Sequence, residues 1–347
     1  MSNKVSFRDT VSSQMGNFLL GVGFRISGDA TQVLKNELVE VANQLSDYYE
    51  EGTHLFPEVI MVDDFTQFLK EYPCLFNEFY SGELKDRTLQ RAIKMCAPLA
   101  NNGWIIFIEI KDCSVRWGVV NVELSAVATP LYNQIKNDDL DNYQLVYVRN
   151  VGMKTVEFVS RGKKHNYMVS LSLKNIEDIL KDEVAGFCDV IVKDVEGDST
   201  EPKEMIEKAI NTAIQRGHGN LIVVIEDKGD DTVIPDVLKN GVRICPIDFP
   251  ELYDTYFKNK GNVLIHSTLE KNIDLIISMM NHDGIMVFTT KGRAIGFHYI
   301  VENNIKTTVE NDGGSRHKAY NKLCMTPQII AVLMRTQEGV TKTKYYE

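Results

Sequence analysis

The 347-residue chain has no apolar run of membrane-spanning length; Phe18-Leu19-Leu20-Gly21-Val22-Gly23-Phe24 is far short of the ~20 residues that a bilayer requires. The polar segment before it lacks signal-peptide form, so the sequence reads as a soluble, cytoplasmic protein without a membrane partner. Close cysteine pairs are missing too. Cys74, Cys96, Cys113, Cys188, Cys245 and Cys324 are scattered, which argues against a zinc ribbon or a disulfide framework and predicts reduced core residues. There is also no excess of positive charge. A net charge of -10 argues against broad nucleic-acid binding, because phosphate contacts need a basic surface to release counterions.

What is present is ordinary globular material. With 44% apolar and 25% charged residues the chain can bury two cores, and the linker is expected near 194–199. The domain reading is an N-terminal α/β sensor or regulatory domain over 1–198 and a second α/β domain over 199–347, a mixed sheet flanked by helices. In the second, Thr200-Glu201-Pro202 starts a helix with proline in its first turn, and Met205, Ile206, Ala209, Ile210, Ala213 and Ile214 form its apolar stripe. Leu221-Ile222-Val223-Val224-Ile225 then reads as a central strand covered on both faces. Further short strands are expected at 242–244, 263–265 and 329–334.

The chemistry concentrates near the C-terminus. Residues 267–280 carry a helical stripe (Leu269, Ile273, Ile276, Ile277, Met280) behind Ser267 or Thr268 as N-cap, and Asn281-His282-Asp283-Gly284 ends that helix. Ile285-Met286-Val287-Phe288 reads as a buried strand, 289–293 as a turn around Gly292, and 294–300 as the returning strand. Asp283 therefore sits where a helix hands over to a central strand, a kind of position where α/β folds put reactive groups. Later comes Gly314-Ser315-Arg316-His317-Lys318, a glycine-led basic cluster. Alone, Asp-Gly is a common turn dipeptide and Arg-His-Lys a common exposed face. Together they offer what nucleotidyl transfer needs, an acid that can hold a divalent metal and a loop that can hold a triphosphate.

This order of helix, Asp-Gly strand start, glycine-turned hairpin and Gly-x-Arg-His-type loop opening a helix resembles the diadenylate cyclase domain of DisA-like proteins, from about Glu201 onward. The resemblance implies that two ATP-loaded domains face each other, each 3′-hydroxyl attacking the partner's α-phosphate, to give cyclic di-AMP and pyrophosphate. It implies a homo-oligomer, ATP as substrate, and Mg²⁺ or Mn²⁺. Carried over, Asp283 serves the metal and the attacking hydroxyl, Gly284 and Ile285 line the nucleotide, and Gly314, Ser315, Arg316, His317 and Lys318 serve the phosphates. Three positions depart from the family. Lys318 replaces a second arginine and loses its bidentate fork, Ile285 replaces alanine, and Arg335-Thr336-Gln337 stands where a Ser-Glu-Glu-like segment is expected. A second metal carboxylate then has to come from Glu338 by a register shift, or from Glu302 or Glu310. No DNA-binding region of the kind DisA proteins carry is evident. The alternative is a catalytically weak or inactive nucleotide sensor using the same pocket.

In the first half, helices are expected at 31–49 and 84–99, and strands at 58–62, 104–110, 114–120, 145–149 and 156–160. Asn102-Gly103-Trp104 echoes Asp283-Gly284-Ile285, and Arg161-Gly162-Lys163-Lys164-His165 echoes Gly313-Gly314-Ser315-Arg316-His317. The halves read either as a diverged duplication, the first copy lacking the aspartate and having Lys164 for the arginine, or as a chance echo on the frequent helix, strand and hairpin arrangement, and the chance echo is preferred.

Overall fold

In the computed structural model, the residues described are 7–26, 28, 30–101, 103–122, 131–137, 142–152, 154–163, 165–171, 183–216, 219–301, 314–336 and 341–345. They form a mixed α/β protein of two compact units, one of Met1–Leu124 and Ala128–Leu180, the other chiefly of Lys181–Glu347. The stretch at 194–199, expected as the linker, lies inside the second unit, where the Asp194 amide donates to Thr290 O (2.9 Å).

In the first unit, α1 (Phe7–Val22) and α2 (Ala30–Ser46) precede a small hairpin of β1 (Tyr48–Glu50) and β2 (Thr53–Leu55). Next come β3 (Val59–Val62), α3 (Phe65–Glu71), β4 (Leu75–Glu83), α4 (Thr88–Cys96), β5 (Trp104–Lys111), β6 (Ser114–Asn121), α5 (Leu131–Asn137), β7 (Leu145–Gly152), β8 (Thr155–Ser160) and β9 (Asn166–Ser170). The seven-stranded sheet runs β4-β6-β5-β3-β7-β8-β9, with only β3 and β5 parallel. Val-Ile-Met-Val of β3 is buried on both faces: Val59 and Met61 join residues of α1, α2 and α4, while Ile60 and Val62 join Phe65, Phe68, Leu131 and Ile135. Buried Glu37 of α2 ties one helix to another. Its carboxylate accepts from the Arg87 and Leu89 amides (2.8 Å each) and Gln90 Nε2 (2.9 Å), capping α4, whose own N-cap Arg87 (φ +69°) supplies no side-chain bond.

The second unit contains α6 (Glu183–Ile191), α7 (Thr200–Arg216), β10 (Leu221–Ile225), β11 (Leu238–Lys239), β12 (Val242–Asp248), α8 (Phe249–Lys258), α9 (Val263–Met280), β13 (Ile285–Thr289), β14 (Arg293–Val301), α10 (Ser315–Leu323), β15 (Ile329–Arg335) and β16 (Thr341–Tyr345). Its sheet runs β11-β14-β13-β10-β15-β16, with β12 also on β14 and β10 parallel to β13. Alternate residues of the central strand split the core: Ile222 and Val224 pack with α6, α7 and α9, and Leu221, Val223 and Ile225 with Leu323 and Cys324.

The two units share one topology. In each, a central strand (β3, β10) runs parallel to the first strand of a later hairpin (β5–β6, β13–β14) and antiparallel to a strand after it (β7, β15); a helix leads straight into β10, whereas the β1–β2 hairpin separates α2 from β3. An outer strand (β4, β12) lies on the hairpin's second strand, and β8 or β16 pairs on the other side, with β9 beyond β8 in the first unit. Even an ion pair recurs in kind at the far end of the hairpin, Arg116 with Glu109 and Arg293 with Asp227 (3.5 Å).

This topology separates the two sequence echoes. Gly103 (φ +81°) and Gly284 (φ +111°) both open the strand parallel to the central one, so the first echo is a structural equivalence; Asn102 itself lies outside the described residues. The second echo fails. Arg161–Lys163 is a single turn between β8 and β9, whereas Gly314 begins a helix between β14 and β15, whose counterpart is α5. Arg161 is buried, bonded to Glu71, Asn142 Oδ1 (2.8 Å) and the Tyr143 hydroxyl (2.9 Å), and Lys164 lies outside the described residues.

Other expectations need correction. Val263-Leu264-Ile265 is the first turn of α9, because Asn262, not Ser267 or Thr268, accepts the Leu264 and Ile265 amides (3.0 and 3.4 Å). The helix expected from residue 84 begins at Thr88, and β4 before it was not anticipated. Cys96, Cys188 and Cys324 are buried as expected, but Cys113 and Cys245 are exposed and Cys74 is half-buried. Among the described residues no helix is long and apolar enough to cross a membrane.

Candidate functional site

The site gathers at one end of the second sheet. Because β10 and β13 are parallel and β15 antiparallel, the start of β10 (Asn220), the start of β13 (Gly284) and the end of β15 (Arg335) share that end. Asn220, 1% exposed, laces them together. Its amide donates to Arg335 O (3.1 Å), its carbonyl accepts from the Arg335 amide (2.8 Å), and its Nδ2 donates to Met280 O (2.8 Å) and Asn281 Oδ1 (3.0 Å) at the end of α9. Its Oδ1 is buried without a hydrogen-bond partner among the described residues.

From Asn281 the chain passes through His282 to Asp283, which is exposed and has no ion-pair partner among the described residues. Gly284 is demanded by backbone alone: a Cβ there would lie 2.7 Å from His298 Cα and 2.8 Å from its carbonyl carbon. Ile285 is 2% exposed and packs in the cluster with Leu323, so its bulk relative to alanine goes into the core.

The basic cluster opens α10. Gly314 is the N-cap and lends no side chain, so the first-turn amides of Ser315, Arg316 and His317 are those an anion would meet. The guanidinium of half-buried Arg316 lies flush on Gly219 (φ +113°), where any side chain would also collide with Arg335 O at 2.7 Å. Gly219 and Asn220 thus bridge Arg316 to the helix end that carries Asp283. Lys318 is exposed; its amide closes the first turn onto Gly314 O (3.2 Å), and among the described residues its side chain makes no hydrogen bond or ion pair.

Two further cations border the site: Lys342, which the sequence reading did not name, and Arg335, which it named only as a departure from the expected acidic segment. Lys342 of β16 places Nζ 3.0 Å from His317 Nε2. An ammonium only donates, so Nε2 offers its lone pair and the ring proton sits on Nδ1. Arg335, buried at the end of β15, donates to Thr341 Oγ1 (2.8 Å), and burial pulls its pKa down to about 10. Neither had a local signal: Lys342 reaches His317 only because β16 pairs with β15.

The arrangement can hold an anion against Arg316, Lys342 and the helix start, with an exposed carboxylate close by. Among the described residues no three His, Cys, Asp or Glu side chains converge, and Glu338, Glu302 and Glu310 lie outside them. Compared with protein-family models, curated proteins and solved structures, the chain matches none.

Proposed function

We propose that the second unit is a nucleotide-binding domain that condenses two ATP into cyclic di-AMP with release of pyrophosphate, and that the first unit regulates it. The observation that carries the reading is the meeting of the Asp283 turn and the Arg316-His317 helix start at one end of the sheet, through Gly219 and Asn220.

In this reading the triphosphate lies against the first turn of α10, with Arg316 and Lys342 beside it and His317 donating from Nδ1. Asp283 faces the incoming 3′-hydroxyl and receives or directs its proton. The 3′-oxygen bonds to the α-phosphorus, the bond to the bridging oxygen of pyrophosphate breaks, and the leaving group takes the electron pair into the field of Arg316 and Lys342. Two facing sites close the ring, which a homodimer supplies with one self-complementary surface. ATP enters as its Mg²⁺ or Mn²⁺ complex, from the cytoplasmic pool.

A second reading, a nucleotide sensor with little turnover, is favoured by one observation: the described site residues contribute a single carboxylate, Asp283. Incubation with ATP and Mn²⁺ or Mg²⁺, followed by chromatography, separates the two. Cyclic di-AMP from wild type and its loss in Asp283→Asn support the cyclase; tight ATP binding without product supports the sensor; neither binding nor product overturns both.

A further inference from the structure

The hairpin that follows Asp283 differs from its first-unit counterpart in register, which slips once beside the strand start and again between Val287 and Phe288. Strands β5 and β6 pair without a break from Trp104 opposite Asn121 to Lys111 opposite Ser114. In β13–β14, Ile285 faces Tyr299 and Val287 faces Gly296, so Phe297 and His298 together oppose Met286. This is a β-bulge, and within it His298 adopts φ +61°, a left-handed conformation uncommon for a residue with a side chain.

The bulge aims His298 back at the strand start. Its Nδ1 lies 2.5 Å from the Asp283 carbonyl oxygen, and His282 Nδ1 lies 3.1 Å from the same oxygen, the two rings edge to face with centroids 4.6 Å apart. A carbonyl oxygen only accepts, so each Nδ1 carries a proton. Gly284 lets the turn press on the backbone of His298.

We propose that His298 is a positioning residue: it holds the Asp283 peptide and thereby fixes where the Asp283 carboxylate points. The first unit builds the same hairpin behind the same left-handed glycine with no bulge, so the fold does not require one. The strain is kept in the copy that has the aspartate. The role of that carboxylate rests on the nucleotidyl-transfer reading, whereas the clamp on the turn does not.

Two variants test this, His298→Gly and His298→Asn. Glycine accepts the left-handed backbone and lacks the donor, so the melting temperature should hold. Hydrogen exchange at the amides of 283–285 should accelerate about tenfold or more, and kcat should fall about tenfold with KM for ATP within about twofold. Asparagine tolerates the conformation and offers Nδ2 near the place of Nδ1, so it should restore both protection and kcat. Wild-type exchange in His298→Gly, or failure of His298→Asn to recover, overturns the clamp. A glycine variant with fast exchange and wild-type kcat overturns the positioning role. If wild type converts no ATP, the nucleotidyl-transfer reading falls, and unchanged exchange in His298→Gly still overturns the clamp by itself.

Discussion

Lys342 Nζ stands 3.0 Å from His317 Nε2, joining the edge strand β16 to the first turn of α10. In an anion site this lysine does two things: it sets the histidine tautomer and adds a positive charge. Lys342→Met should weaken ATP binding by roughly 1.5 to 3 kcal/mol, the scale of a charged hydrogen bond to phosphate. Titration calorimetry reads this directly, and unchanged affinity would place the phosphates elsewhere.

Gly284→Ala should destabilise the second unit. The left-handed backbone alone costs a side chain about 1–2 kcal/mol, and the new methyl meets His298 backbone atoms at 2.7 and 2.8 Å. Denaturant unfolding measures the loss. A variant as stable as wild type would mean that the turn and β14 separate easily.

Glu37→Ala should cost the first unit about 2–4 kcal/mol, since it leaves the Arg87 and Leu89 amides and the start of α4 without their acceptor. Glu37→Gln, which keeps one acceptor oxygen, should fall between. Equal stability of Glu37→Ala and wild type in urea would remove the carboxylate from the account of this unit.

Acid should unfold the first unit in part through Glu71. Burial works against its carboxylate, but hydrogen bonds from Asn142 and Arg161 outweigh that and hold its pKa below the usual 4.5. A lowered folded pKa gives stability that is present above the unfolded value and is lost as pH falls from about 4.5 through the folded one. Wild-type stability should therefore decline below that pH, and Arg161→Met should show a shallower decline. Parallel curves would rule the pair out as a source of acid sensitivity.

If two chains share the reaction, excess Asp283→Asn protein should poison wild-type turnover by forming mixed pairs, and activity should rise faster than linearly with dilute protein. Full specific activity from a species that light scattering shows to be monomeric would refute the shared cavity.

Much of the scaffold was legible in the residues. The helix at 200–216 announced itself through its proline-containing first turn and apolar stripe, and β10 through an unbroken β-branched run, because burial on both faces leaves no polar alternation to confuse. β4 was hidden because Leu75, Phe76 and Phe79 are exposed on an edge, without the inside-outside rhythm that marks a strand. Val263-Leu264-Ile265 misled because three apolar residues fit a strand or a helix start equally, and Asn262 decides. Of the site, Asp283, Arg316 and His317 could be picked out as short motifs. Asn220, His298 and Lys342 could not, since each acts through a partner brought near only by sheet pairing or a bulge.

The central position of β10 also dictates an order of events during synthesis. Leu221 pairs with Met334 on one side and Ile222 with Met286 on the other, so the middle strand of the second sheet leaves the ribosome long before either neighbour exists. Its five buried residues stay unpaired until β13 emerges and keep one open edge until β15 follows, and closing such long loops slows folding. The first unit, complete by β9, can meanwhile have folded. A ribosome stalled before β15 would expose Leu-Ile-Val-Val-Ile as a ready template for aggregation, so premature termination there should yield an insoluble chain even though the first unit is intact.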